Sequence, residues 1–112
     1  MSNNQIKNII TPLLAISSIC QAEFVDGNKL LTWIESSSNV EQSTAYGYVA
    51  GVADVLYGST YCPPSNVTVR QITDMTREAL ISVPSMRDKS ADVFITALIK
   101  KKWPCQQKGT NI

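Results

Sequence analysis

The chain has 112 residues, a length that fits one small domain, with 44% hydrophobic residues and a formal net charge of +1. So small a charge sets up no field that would draw nucleic acid or an anionic membrane. Histidine is absent, which excludes Ser-His-Asp and Cys-His catalysis and every zinc site built on imidazole, and three cysteines are too few for a four-thiolate site.

The first predicted element is a leader. MSNNQIKN is polar with one cation, Lys7, and IITPLLAISSIC is an apolar run of 12 residues. CQA then places small residues ahead of a cut after Ala22. The run is shorter than the roughly 20 apolar residues a spanning helix needs. Residues 1–22 are therefore expected to be a secretory signal peptide, and 23–112 a single α-helical domain. A buried N-terminal core helix is the alternative. A lipid anchor on Cys20 is disfavoured by Ile19 in front of it. Without residues 1–22 the chain keeps nine basic and nine acidic side chains, so its charge is close to zero. It also keeps only Cys62 and Cys105. An even pair in an exported chain reads as a disulfide, with two free buried thiols as the alternative.

Four helices follow, and runs of strict two-residue alternation are too short to predict strands. The first covers about Asp26 to Glu35, capped by Asn28 or Asp26, with Leu30, Leu31, Trp33 and Ile34 on its apolar side. SSSN breaks it. The second covers about Val40 to Tyr57 and stops at Gly58. Ala45, Tyr48, Val49, Val52 and Leu56 share one stripe of it; Gly47, Gly51 and Asp54 share the next. STYCPPS is a loop. The third helix covers about Val69 to Leu80, opened by a Thr68/Gln71 capping box, with Val69, Ile72, Met75 or Thr76, Ala79 and Leu80 inward. After the loop SVPSMRDK, Ser90 is expected to cap a last helix that packs Val93, Phe94, Ala97, Leu98 and Trp103 inward and stops at Pro104. Each of the two cysteines lies just past a helix end. The expected fold is all-α, a small bundle of four to five helices stapled by one disulfide.

Gly47 and Gly51 form a G-x-x-x-G pattern, and each glycine costs about 1 kcal/mol against alanine in a helix interior. Their segment is too short to cross a bilayer and contains Asp54, which rules against a membrane dimer motif. Close packing of a neighbouring helix, or of a bulky side chain such as Trp33 or Trp103, is the expected compensation. Asp54, set among Ala53, Val55 and Leu56, is expected to accept a hydrogen bond in a partly buried site. Asp74 and Glu78 are one turn apart, but Arg70 and Arg77 at neighbouring positions make surface ion pairing the better reading than acid–base chemistry. Lys100, Lys101 and Lys102 suit the negative end of a helix dipole better than a nucleic-acid patch. Asn66-Val67-Thr68 fits a glycosylation acceptor, but Thr68 already has a capping role. No catalytic residue, metal ligand or cofactor is assigned.

Taken together, the ordered set GYVAGVADVLYG, YCPPSNVTVRQITDM and KKKWPC resembles the Tai-type (Rap/Tai) immunity proteins, periplasmic partners of peptidoglycan amidase effectors delivered by type VI secretion. The family pattern is G-Y-x-x-G-x-x-D, then Cys-Pro before an N-capped helix, then W/F-P-C. Gly47, Tyr48, Gly51, Asp54, Cys62, Pro63, Trp103, Pro104 and Cys105 match it, and the resemblance runs from about Phe24 to Cys105. Ile34 and Ala45 stand where relatives often carry a second cysteine pair. The resemblance implies a helical, often homodimeric protein without enzymatic activity that binds a cognate amidase and blocks its cleft. The contact segment is expected to be the loop Pro84, Ser85, Met86, Arg87, Asp88 and Lys89, whose Met and Arg suit interface anchors. A periplasmic acid-stress chaperone of the HdeA type, also small, helical and disulfide-linked, is the alternative.

Overall fold

The computed structural model describes residues 24–106, so the expected leader at 1–22 lies outside the described residues. These residues form α1 (Gly27–Ile34), α2 (Asn39–Leu56), α3 (Val69–Ser82), a 3-10 turn (Pro84–Met86) and α4 (Ala91–Lys102). The all-α reading and the single disulfide are both observed.

Local chemistry explains where each helix starts. Asp26 caps α1 by accepting the Lys29 N–H at 2.8 Å, so the cap is Asp26 and not Asn28. Ser38 caps α2 by accepting the Glu41 N–H. The Thr68/Gln71 capping box opens α3, with hydrogen bonds of 3.1 and 2.7 Å running both ways. Ser90 differs from its expected role. Its hydroxyl turns to the Asp92 carboxylate and leaves α4 without a side-chain cap. Gly58 ends α2 at φ +80°, a left-handed conformation that glycine adopts without strain.

The core lies where all four helices meet. α1 contributes Leu30; α2 contributes Ala45, Val49 and Ala53; α3 contributes Ile72 and Leu80; α4 contributes Ala91, Phe94, Ile95 and Ile99. Two buried threonines, Thr73 and Thr76, complete α3's inner face. Each hydroxyl donates to the carbonyl four residues earlier, at 2.8 Å, which removes the cost of an unpaired buried polar group. In α4 the expected Phe94 is buried and Leu98 and Trp103 pack against the core, but Val93 and Ala97 face out, and Ala91, Ile95 and Ile99 form the most buried stripe at four-residue spacing. Ile34, half-buried, and Ala45, buried, both belong to this packing, so apolar contact occupies the positions of the second cysteine pair.

The two glycines of α2 do not pack. At about 100° per residue they fall opposite the Ala45–Val49–Ala53 stripe. Both are exposed, and a Cβ added to either would meet nothing within 4 Å. The close approach sits elsewhere. A Cβ on Gly27 would lie 2.9 Å from the Arg87 Cα, the Arg87 carbonyl oxygen and the Leu80 Cδ2. Asp54 is likewise exposed rather than partly buried. Among the described helices none is long and apolar enough to cross a membrane.

Cys62 and Cys105 are bonded, with Cα atoms 4.8 Å apart, joining the segment after α2 to the segment after α4. The Cys62 N–H donates to the Trp103 carbonyl at 2.8 Å, and the Tyr61 and Trp103 rings stack obliquely at 6.3 Å beside the bridge. Arg77 pairs across helices with Glu35 at 3.1 Å, not along α3 with Asp74.

Candidate functional site

The segment between α3 and α4 starts with Pro84, whose fixed φ suits the first position of a short helical turn. The Met86 N–H donates to the Val83 carbonyl at 3.0 Å, and the Lys89 N–H to the Met86 carbonyl at 3.2 Å. This local winding is then tied to α1. The first N–H groups of a helix lack partners within it. In α1, the Gly27 N–H donates to the Lys89 carbonyl at 3.0 Å and the Asn28 N–H to the Arg87 carbonyl at 2.8 Å. The Ala91 N–H donates to the Val25 carbonyl at 2.9 Å on the far side of the same junction. A glycine at position 27 is what lets the two backbones come this close.

Arg87 is turned inward. Its Nε donates to the Leu80 carbonyl at 2.7 Å and a terminal nitrogen to the Ile81 carbonyl at 3.3 Å. The guanidinium thus satisfies the free carbonyls at the end of α3, where the helix dipole also favours a cation. The remaining side chains, Pro84, Ser85, Met86, Asp88 and Lys89, are exposed. Five of the six expected contact residues therefore line one outward-facing, hydrogen-bonded ridge, and the sixth fastens it.

Beside the ridge lies a shallow apolar cleft lined by Ala79, Val83, Met86, Phe94 and Leu98, with the Lys101 side chain at its edge. Val83 and Met86 are partly exposed on its rim. Met86 joins ridge and cleft into one surface on which a partner could bury apolar area next to polar groups. Gly27 was missed in the sequence reading. The signal for it was a glycine at the first position of a helix, where alanine is otherwise favoured.

Two other motif residues, Trp103 and Tyr48, serve the fold. Trp103 is half-buried against Tyr61, and Tyr48 is half-buried against the core. Burial first, then the negative charge of Asp92, holds the Tyr48 hydroxyl above the ordinary phenol range. Lys100, Lys101 and Lys102 occupy the last turn of α4 and are exposed. Among the described residues no three His, Cys, Asp or Glu side chains converge as metal ligands.

Compared with known proteins, the chain matches a family model described as Rap1a immunity proteins over residues 20–105, well over half its length. No curated protein matches it.

Proposed function

The chain belongs to the Rap1a immunity protein family, and from that premise we propose that it binds and inhibits a cognate peptidoglycan amidase delivered by type VI secretion. In this reading the leader exports it to the periplasm, where the incoming toxin acts, and the protein has no catalytic role of its own. Inhibition is steric: the ridge Pro84–Lys89 enters the amidase cleft and excludes the peptide substrate.

The observation that carries the proposal is the state of that ridge before any partner arrives. Its backbone is fixed by hydrogen bonds to α1 and by the Arg87 guanidinium, while Met86, Asp88 and Lys89 stay exposed. A segment already held in one conformation loses little ordering entropy on binding. Met86 at the junction of ridge and apolar cleft is the residue best placed to act as an anchor.

Titration calorimetry against the cognate type VI amidase of this proposal tests the reading. Met86→Glu combined with Asp88→Ala is expected to weaken binding by about tenfold or more, as for an interface anchor, with the helical circular dichroism unchanged. An unchanged dissociation constant removes the ridge from the interface. The homodimer implied by the resemblance belongs to the same proposal. Sedimentation velocity on the isolated protein reads it, and a monomer at every concentration discards it.

A further inference from the structure

We infer that a second binding site lies at the C-terminal end of α2, in a cleft that accepts an arginine or lysine side chain from a protein partner. The cleft is about 280 Å³ in volume, with Asp54, Tyr57 and Tyr61 on one side and Asn66, Val67 and Val69 on the other. It lies between α2, the N-terminus of α3 and the loop that joins them, apart from the ridge at Pro84–Lys89.

Three observations point to a cation. Asp54 occupies the last turn of α2, the negative end of the helix dipole, and no basic residue stands in that turn. A carboxylate there adds to the negative field instead of relieving it. Asp54 is exposed and forms no ion pair among the described residues. Next to it, Tyr57 and Tyr61 meet edge to face at 5.9 Å. Tyr61 is buried, but Tyr57 is 66% exposed, a large aromatic surface left open at the mouth of a cleft. A guanidinium or ammonium group placed here meets a carboxylate, a helix C-terminus and a tyrosine ring together, and each of these attracts a cation.

Burial first, then the Asp54 charge and the Tyr57 hydroxyl, push the Tyr61 hydroxyl above the ordinary phenol range. The cleft wall is also preformed. Pro63 follows the bonded Cys62, and Asn66 sits at φ +54°, a left-handed conformation that asparagine tolerates better than most residues. The assignment of the cation to a protein partner rests on the immunity reading; the cation preference itself does not.

The test uses the disulfide-bonded protein and N-acetyl-arginine amide as probe, followed through backbone amide shifts in two-dimensional NMR. Saturable shifts confined to residues around Asp54, Tyr57 and Asn66 are expected. N-acetyl-citrulline amide, the neutral isostere, should give none. Asp54→Asn should weaken the arginine probe by about fivefold, the upper range for an exposed ion pair, and Tyr57→Leu should weaken it further in combination. A peptide Gly-Arg-Gly should bind at least as well as spermidine if the natural ligand is a side chain; tighter spermidine binding overturns the assignment to a protein partner. Equal shifts with citrulline, no saturable shifts, or an Asp54→Asn protein that binds unchanged overturns the site. Because no toxin is involved, failure of this site leaves the toxin reading separately testable.

Discussion

Three glycines of this chain have opposite energetic meanings. At Gly27 the missing side chain makes room for the Arg87 backbone, and a methyl group would collide with it at 2.9 Å. Gly27→Ala is expected to cost about 1–3 kcal/mol, the usual range for forcing an extra carbon into a packed contact. At Gly47 and Gly51 there is open space, so alanine relieves only the backbone entropy cost. The double substitution is expected to stabilise the fold by about 1–2 kcal/mol. Urea unfolding of the two variants reads both values. A loss of stability in the double variant would mean that the glycine face is covered in solution by another chain. The tyrosines give a pH prediction. Tyr48 and Tyr61 both have hydroxyl pKa values raised by folding, so the folded state favours the neutral phenol. Their contribution is fully present below the unfolded value of about 10 and is lost as pH rises through the folded values. Stability should therefore fall on the alkaline side above about pH 10, and replacing Tyr61 with Phe should blunt the fall.

Helices whose boundaries depend on local chemistry were legible in the sequence. The Thr68/Gln71 box and the stop at Gly58 both follow from short-range hydrogen bonding, and both are observed. Thr68→Ala is expected to cost about 1 kcal/mol by thermal unfolding. What the sequence hid was long-range. The pattern Val-Phe-Ile-Thr-Ala-Leu-Ile in α4 is apolar on nearly every side, so its periodicity did not single out the buried face; contact with α2 and α3 did. Similarly, nothing local signals that Arg87 turns back to cap α3 or that the first N–H groups of α1 are satisfied by carbonyls some 60 residues away. The ridge was found as a segment, from composition, but its fastening was not. Arg87→Met should weaken the end of α3 and the ridge together. Faster amide hydrogen exchange at both Val83 and Lys89 is the expected readout; a change confined to one of them would separate the two elements.

In the molecule as a whole, one covalent link among the described residues ties the segment after α2 to the segment after α4. The Cys62–Cys105 bridge closes a loop of 43 residues in sequence separation and sits beside the Tyr61–Trp103 contact. Closing a loop of this size is worth about 4 kcal/mol in the chain-entropy view. Replacing both cysteines with serine is expected to lower stability by about that amount in guanidinium titration. Loss of the bridge should also loosen the Asp54 cleft before the ridge, because the bridge adjoins the former and α1 holds the latter. The segment Pro84–Lys89 and the Asp54 cleft thus have separate supports. As proposed above, this protein would neutralise a peptidoglycan amidase. Hydrolysis of purified peptidoglycan by the cognate type VI amidase, in the presence of increasing amounts of this protein, reads the proposed inhibition. Hydrolysis should stop near equimolar protein and continue when the Met86→Glu, Asp88→Ala variant takes its place. Full amidase activity at saturating protein would overturn the proposed inhibition.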